Sequence, residues 1–391
     1  AVEALRASPF ARRALGLAQA PSSATLRQRL DAQGSAWFAL IDQVNERLLG
    51  LRLQGRPIDF GLLATGHCPI DIDTFAMDNS NTARQGVGRT YAGVDGFCPL
   101  AAYLGTQGYC LQLALRPGTQ HSAFETPYDL EHVLPLAQRL CAAPLLLRAD
   151  SGFCGQPILD SVAQQARALG RRIDVLIKWN PRSTPVEAWA RARRDDPATV
   201  WCHHREGKRS CLWETPLAAT QSGPGPTELA QPLRRVLRLT ERTIDKHGNP
   251  LLIPHYVLDG WTTSLPVSIT AAQVIELYCQ HATHEQFHAE FKTDMGLERL
   301  PSGKFDTNYL VCQLACVAMN LLRLIGTHTL HGKHAPVRHP AQRRRIRTVM
   351  QEMIYKAARL IRHAGRWVLG LGEHDSGAEV FAQHYRQLVT T

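Results

Sequence analysis

Four side chains of chemically useful types recur at helical spacing in one short stretch: Tyr278, His281, Glu285 and Lys292. At about 100° per residue, an α-helix projects all four within an arc of roughly 60°. A hydroxyl, an imidazole, a carboxylate and an ammonium group do not suit an apolar core. They do suit a surface that binds phosphate groups beside a metal ion. The spacing therefore predicts a polar functional stripe on one helix.

A carboxylate in such a site needs acidic partners, and the sequence offers them upstream. Asp71 and Asp73 alternate with apolar residues, which places both on one face of a predicted strand. Asp150 ends a strand of the buried type. Carboxylate oxygens are suitable ligands for Mg²⁺ or Mn²⁺, and two such ions can drive phosphodiester chemistry. We expect Asp73, Asp150 and Glu285 to hold two ions, and the pattern leaves Asp71 open as an alternative to Asp73.

The order of predicted elements around these residues suggests the scaffold. Three strands, a helix, a strand and a second helix form the order of a ribonuclease-H-like α/β domain. The corresponding runs are 69–74, 100–104, 109–115, 128–140, 145–147 and 157–169, followed by a strand over 173–177. Such a fold holds carboxylates on its first strand, after its fourth strand and on a later helix. We therefore predict a catalytic domain divided into residues 61–177 and 267–330.

Residues 178–266 interrupt that domain. Short strand-like runs at 200–203, 211–213, 235–239 and 255–258 predict a β-rich insertion. Residues 222–226, with the sequence SGPGP, predict a flexible or extended linker. Cys202, His203, His204 and Cys211 match no standard zinc-binding spacing.

Both ends of the chain are predicted to be helical. Residues 1–60 carry capping hydroxyls and apolar residues at helical spacing, and are interpreted as a remnant of a DNA-binding domain. Residues 331–391 form a basic region in which Glu352 is the only acid between 333 and 366. We favour DNA contact over a merely solvated face for its cations, which are Lys333, Arg338, Arg343, Arg344, Arg345, Arg347, Lys356, Arg359, Arg362 and Arg366.

Composition agrees with a soluble, DNA-associated protein. The 391 residues carry 44 Lys+Arg against 34 Asp+Glu, a net charge of +10 that suits a polyanionic partner. The 10 cysteines are scattered and often lie in apolar runs, which is typical of reduced thiols in a cytoplasmic protein. Residues 309–325 are apolar but contain Gln313, Asn320 and Arg323, so we predict a core helix and no membrane partner.

The four-residue spacing resembles the Tyr-x2-Arg-x3-Glu-x6-Lys signature of bacterial insertion-sequence DDE transposases. The resemblance extends over about residues 60–370 and includes four further blocks, at 71–80 (DIDTFAMDNS), 148–153 (RADSGF), 298–304 (ERLPSGK) and 320–323 (NLLR), as well as the basic segment after Arg343. Together these blocks are specific, whereas each of them alone is not.

The resemblance implies a cut-and-paste transposase with a catalytic triad of Asp73, Asp150 and Glu285 and two Mg²⁺ or Mn²⁺ ions. Tyr278 and Lys292 would contact phosphates at the element's terminal inverted repeats, and a homodimer would pair two double-stranded element ends before strand transfer to target DNA. The family also implies a tryptophan from the insertion that holds a flipped base, for which the candidates are Trp261, Trp213 and Trp201.

One position departs from the signature: His281 stands where the family has arginine. Histidine offers fewer donors and is largely neutral at pH 7, so weaker binding of the strand end is expected. On a continuous helix, His284 and His288 lie off the stripe and Glu290 faces outward. Two other functions stay open: a metal-dependent nuclease without strand transfer, and a retired transposase that only binds DNA.

Overall fold

The computed structural model describes residues 2–53, 55–181, 184–217, 232–330, 343–372, 375 and 377–389, with only the backbone at 387–389. The predicted linker at 222–226 lies outside these residues, as do Lys333 and Arg338 of the basic region.

Strands and helices alternate through the described residues. The strands are β1 Arg52–Leu53, β2 Arg56–Pro57, β3 Cys68–Thr74, β4 Met77–Asp78, β5 Gly88–Arg89, β6 Asp95–Phe97, β7 Leu100–Leu104, β8 Tyr109–Ala114, β9 Leu145–Ala149, β10 Ile173–Trp179, β11 Trp201–Arg205, β12 Lys208–Pro216, β13 Arg234–Ile244, β14 Pro250–Thr263, β15 Ala358–His363 and β16 Arg366–Leu371. The α-helices are α1 Val2–Ala7, α2 Pro9–Ala14, α3 Ser23–Gln33, α4 Phe38–Leu49, α5 Thr126–Leu140, α6 Gln156–Ala168, α7 Val186–Asp195, α8 Ala271–His281, α9 His284–Ala289, α10 Phe305–His328, α11 Ile346–Val349 and α12 Ala378–Val389.

A large mixed sheet positions the rest of the molecule. Within the described residues it has nine strands in the order β11-β12-β13-β14-β10-β9-β3-β7-β8. Strands β3, β9 and β10 are parallel; β7 pairs antiparallel with β3, and β8 pairs antiparallel with β7 at the edge of the sheet. The central strands are almost entirely buried because apolar runs such as Leu145–Ala149 pack on both faces. The predicted strand order along the chain is therefore present.

Alternation along β3 separates a packing face from a polar face. Ile70 and Ile72 point into an apolar core that includes Leu130 and Val133 of α5 and Ile158 of α6. Strand geometry turns the intervening aspartates to the opposite face. That face is covered by α8, α9 and α10, so the predicted acidic strand face is buried beneath helices.

Strands β11–β14 extend this same sheet. Strand β14 pairs antiparallel with β10, and β13, β12 and β11 follow outward. Residues 178–266 also contain α7, which the sequence analysis missed because its alternating Ala and Arg residues hide the apolar positions Ala190 and Trp189. Cys202 and Cys211 occupy adjacent register positions of paired strands, so their side chains leave opposite faces, in agreement with the absence of a standard zinc spacing.

Helix α10 packs as a core helix. It is the one helix of the described residues that is long and apolar enough to cross a membrane, but over half of its most apolar window is buried in the protein. Its polar residues have internal partners: Asn320 accepts from the Cys110 N–H at 2.7 Å, and Gln313 donates to Asp42 at 2.8 Å. Because Asp42 belongs to α4, this contact also holds the helical N-terminal region against the core.

The C-terminal region differs from the prediction of a basic helix. After α11 and a π-helical turn, Met350–Ile354, the chain forms the β15–β16 hairpin and then α12. Ala364 and Gly365 both have positive φ, at 47° and 76°, as a two-residue type I′ hairpin turn requires. Arg359, Arg362 and Arg366 therefore lie on a hairpin, and the prediction of a helix there is wrong.

Candidate functional site

The end of β3 and the end of β9 bring two carboxylates together. Ile72 pairs in register with Ala149, so Asp73 and Asp150 follow at the carboxyl ends of two neighbouring parallel strands. Burial raises the pKa of Asp150, and the negative charge of Asp73 raises it further. The Asp150 carboxylate also accepts a hydrogen bond from the Gly152 N–H at 2.9 Å, which fixes it at the start of a 3₁₀ turn.

Glu285 approaches the same point from α9. Its side chain is 71% exposed, and its carboxylate lies 3.8 Å from His284 Nε2 and 3.9 Å from His288 Nδ1. Those two histidines are buried against Asp73. His284 Nε2 is 2.7 Å from Asp73 Oδ2, and His288 Nδ1 is 4.0 Å from the same oxygen. Asp73 therefore belongs to two pairs of neighbouring carboxylates, one with Glu285 and one with Asp150.

The carboxylates fit a site for divalent cations. Asp73, His284, Glu285 and His288 each offer a ligand atom, and these atoms all lie within 4.8 Å of one another. Asp150 adds oxygen donors beside Asp73. The pKa of Asp73 is lowered: burial opposes this, but the hydrogen bond from His284 and the charges of the nearby histidines outweigh burial. Asp73 is thus a charged oxygen donor at neutral pH, as a hard cation requires.

Asp71 has a different role. It is 3% exposed, and both of its oxygens accept from Arg148, at 2.7 Å from Nε and 2.7 Å from Nη2. His281 Nδ1 lies 2.9 Å from Asp71 Oδ1, and Arg148 Nη1 donates to the Leu277 carbonyl of α8 at 2.7 Å. Asp71 therefore anchors α8 to the sheet, and this geometry favours Asp73 as the first carboxylate of the site.

The predicted single stripe of Tyr278, His281, Glu285 and Lys292 lies on a broken helix. Helix α8 ends at His281, α9 begins at His284, and a π-helical turn follows over Glu290–Asp294. The His284 ring contacts the His281 carbonyl at the break. A carbonyl freed by the end of a helix needs such a partner. The break rotates α9 so that His284 and His288 face Asp73, which the assumption of one continuous helix could not predict.

Three predicted side chains of this segment have distinct surroundings. His281 is 2% exposed and bonded to Asp71, so the prediction that it contacts DNA is wrong for this conformation. Tyr278 is half-buried; burial and then the charges of Asp150 and Asp73 raise its pKa, which places it beside the carboxylates. Lys292 donates to the Ala76 carbonyl at 2.8 Å and lies 3.2 Å from Glu298.

Glu290 faces inward, contrary to the prediction. It is 2% exposed, forms a close ion pair with the buried Arg323 of α10, and accepts from the Ile346 N–H at 3.1 Å. The π-helical turn that begins at Glu290 departs from the 100° spacing used for the prediction. Glu290 thus ties three segments together behind the site.

The basic residues after 342 divide by their contacts. Arg344 is buried against Thr329 and Glu352, so the prediction of a DNA contact is wrong for it. Arg347 is exposed. Arg343 and Arg345 line a groove of about 340 Å³ beside Glu285.

Each of the two groove arginines has a polar partner, and both line the groove beside Glu285. Arg343 donates to Gln286 at 2.7 Å, and Arg345 pairs with Asp294 at 2.7 and 2.8 Å. Burial lowers the pKa of Arg343 to about 10, which still leaves it charged at neutral pH.

The three candidate tryptophans are not equivalent. Trp261 is 2% exposed and packs with Leu146, Leu176 and Val236, so a DNA base cannot reach it in this conformation. Trp201 and Trp213 are partly exposed on the inserted strands. A residue that the sequence analysis missed is Tyr91, whose hydroxyl donates to the Thr74 carbonyl at 3.2 Å beside Asp73.

Comparison with known proteins identifies the family. The family model described as "Transposase DDE domain group 1" matches residues 62–391. The chain belongs to the DDE transposase family. No curated protein matches this sequence. Among solved structures, the transposase is similar to the piggyBac transposase in a cryo-EM synaptic complex with hairpin DNA, with 12% identity and a TM-score of 0.33. That match covers 66% of this transposase and 46% of the piggyBac chain.

Proposed function

We propose that this protein is a DNA transposase that cleaves strands at the ends of its element and joins them to target DNA. The observation that carries the proposal is the convergence of Asp73, Asp150 and Glu285 at one end of the sheet, in a chain of the DDE transposase family. Asp73, Asp150 and Glu285 would act as the catalytic triad, and Asp73 would be its first member.

The scaffold of this proposal is a ribonuclease-H-like fold. Its support is the strand order β8-β7-β3-β9-β10, with β3 in the centre. The parallel strands β9 and β10 each follow a helix, α5 and α6 respectively. Strands β11–β14 would be an insertion at the edge of that fold. Bacterial insertion-sequence origin, within the Tyr-Arg-Glu-Lys group, and a cytoplasmic, nucleoid-associated location belong to the same proposal.

The site residues suit phosphoryl transfer assisted by Mg²⁺ or Mn²⁺. The chemistry that two bound cations supply is activation of the attacking oxygen and stabilisation of the leaving oxygen. Asp73 would hold both cations, with Asp150 on one side and Glu285 on the other. Asp73 is pre-positioned by the Thr74 N–H, which donates to it at 2.7 Å. No side chain needs to form a covalent intermediate, because water and then the freed 3′-OH attack the phosphorus.

Arginines beside Glu285 would hold the DNA backbone. Glu285, Arg343 and Arg345 line the same groove, and guanidinium groups there would bind phosphates of the scissile strand. Tyr278 and Lys292, from the same broken helix as Glu285, would contact the strand end. The net charge of +10 supports double-stranded DNA as the partner. A homodimer would pair the two element ends in a synaptic complex.

The test is cleavage of a labelled duplex that carries the element's own end, with Mg²⁺ or Mn²⁺, by the wild type and by Glu285→Gln. Gln keeps the shape of Glu285 and removes the charge that holds the cation. The matched control is Glu276→Gln, because Glu276 is exposed on the adjacent helix α8. We expect boundary cleavage by the wild type and the control, followed by strand transfer to a plasmid, and neither reaction by Glu285→Gln.

Two outcomes would contradict this proposal and identify a different function. Cutting that ignores the element boundary and still requires Glu285 would identify a nuclease without strand transfer. Tight binding by all three proteins, with no cutting by any of them, would identify a retired transposase that only occupies DNA.

A further inference from the structure

Two histidines of α9 face the same point as the carboxylates of Asp73 and Glu285. The nearest pairs of candidate ligand atoms are separated by 2.7, 3.8, 3.9 and 4.0 Å. Ligands bound to one ion at about 2.1–2.2 Å lie roughly 3.0–4.4 Å from one another. Small side-chain shifts would therefore bring all four side chains onto a single cation.

The His288 ring is buried beside the carboxylates of Asp73 and Glu285. The side chain is 3% exposed, and neither ring nitrogen has a hydrogen-bond partner among the residues that the structure describes. An unpaired buried polar group destabilises the folded state. The ring is held in place by Phe75, which stacks on it at 4.3 Å, and by Tyr103 at 5.7 Å. Packing thus fixes an unpaired imidazole beside two carboxylates, where a cation would satisfy Nδ1.

His284 is oriented as metal-binding histidines usually are. Its Nδ1 contacts the His281 carbonyl, and because a carbonyl only accepts, Nδ1 must carry the proton. A cation that displaces the proton between Nε2 and Asp73 would find this nitrogen and the Asp73 oxygen side by side, 2.7 Å apart. Histidines that bind metals commonly donate their second nitrogen to a carbonyl or carboxylate, which fixes the tautomer.

We propose that His284 and His288 make the position between Asp73 and Glu285 a mixed nitrogen and oxygen site that prefers Mn²⁺ to Mg²⁺. Imidazole suits transition-metal ions, whereas Mg²⁺ favours an all-oxygen set. Within the described part of the chain, the cluster that contains these histidines does not include Asp150, so the position between Asp73 and Asp150 would suit either ion. This inference deepens the proposed function and rests on it for the catalytic use of Asp73 and Glu285.

The direct test measures the metal in the wild-type protein. Pulsed electron paramagnetic resonance of bound Mn²⁺ detects coupling to ¹⁴N when an imidazole is a ligand. Isothermal titration with Mn²⁺ and with Mg²⁺ gives the two affinities without DNA. We expect ¹⁴N coupling and Mn²⁺ binding at least about tenfold tighter than Mg²⁺ binding. Bound Mn²⁺ without ¹⁴N coupling, or equal affinities for the two ions, would overturn the inference.

Substitution of each histidine tests whether its imidazole is a ligand of the bound ion. His284→Asn and His288→Asn should each reduce the Mn²⁺ preference by about tenfold, while His255→Asn, at an exposed histidine of β14, should leave it unchanged. If a buried-site variant fails to fold, the wild-type ¹⁴N measurement still decides. Retained ¹⁴N coupling without end cleavage would refute the proposed function alone, whereas end cleavage without ¹⁴N coupling would refute this inference alone.

Discussion

Asp71 and Arg148 form a buried bidentate ion pair that distinguishes two aspartates on the same strand face. The side chains are 4% and 2% exposed, and the contacts of 2.7 Å occupy both Asp71 oxygens. Asp73, two residues later, keeps an oxygen directed at Glu285 and the histidines. One aspartate therefore holds the scaffold, and the other remains available to a ligand.

The same substitution should destabilise the protein far more at Asp71 than at Asp73. Asp71→Asn leaves Arg148 with an uncompensated buried charge and should lower the free energy of unfolding by about 3–5 kcal/mol. Asp73→Asn should cost much less, because Asn still accepts from the Thr74 N–H and no longer repels Asp150. Urea denaturation measures both effects. Equal losses in the two variants would contradict the assignment of Asp71 as the structural residue.

Restoring the family's arginine at position 281 should not restore a phosphate contact. His281→Arg places a larger cation in a buried position where Arg148 already occupies Asp71. Overpacking of this kind typically costs about 1–3 kcal/mol. We expect a lower melting temperature and unchanged affinity for element-end DNA. Tighter, salt-dependent DNA binding by the variant would show instead that position 281 reaches the DNA backbone.

A buried carboxylate outside the candidate site should make stability depend on pH. Asp174 is bonded to Arg172 at 2.6 Å and to Ser264 at 2.8 Å, and His67 lies 3.3 Å away. Burial alone would raise its pKa, but these hydrogen bonds outweigh burial and lower it. A lowered folded-state pKa adds stability above the unfolded value near 4, and that stability is lost as pH falls through the folded pKa.

Asp174→Asn isolates this effect. The difference in unfolding free energy between wild type and variant should be largest at neutral pH and should shrink as pH falls below about 4. The exposed substitution Asp160→Asn serves as the control and should show no such convergence. A wild-type advantage that persists undiminished at low pH would show that Asp174 acts through packing rather than charge.

The positions of Asp73 and Asp150 could be predicted because they depend on local patterns. Apolar runs with a period of two mark the buried strands, and an aspartate that follows such a run lies at the edge of the sheet. Each strand and the aspartate at its end therefore follow from residues that are near one another in sequence. The two aspartates meet through the pairing of Ile72 with Ala149, which the expected order of strands in the sheet had to supply.

The environment of Glu285 could not be predicted in the same way. The helix breaks where His284 contacts the His281 carbonyl, and a uniform 100° per residue cannot represent that break. Glu290 is drawn inward by Arg323, which is 33 residues away in sequence and on another helix. The i, i+4 spacing of His284 and His288 was a usable signal, since it places both on one face of any helix.

Divalent cations should stabilise the folded protein through Asp150. Burial and the negative charge of Asp73 raise the Asp150 pKa, so the metal-free site contains two carboxylates that repel each other. A cation bound only by the folded state adds about 2.7 kcal/mol at a concentration 100-fold above its Kd. We expect Mn²⁺ to raise the melting temperature of the wild type, and chelation by EDTA to reverse the change.

Asp150→Asn tests whether that stabilisation comes from the paired carboxylates. Without metal, the variant should melt at or above the wild-type temperature, because the repulsion with Asp73 is removed. With Mn²⁺ it should gain less than the wild type, because a charged ligand is missing. The exposed control Asp160→Asn should keep the full gain. A full Mn²⁺ shift in Asp150→Asn would mean that the stabilising ion binds without Asp150, on the side of Asp73 that faces Glu285.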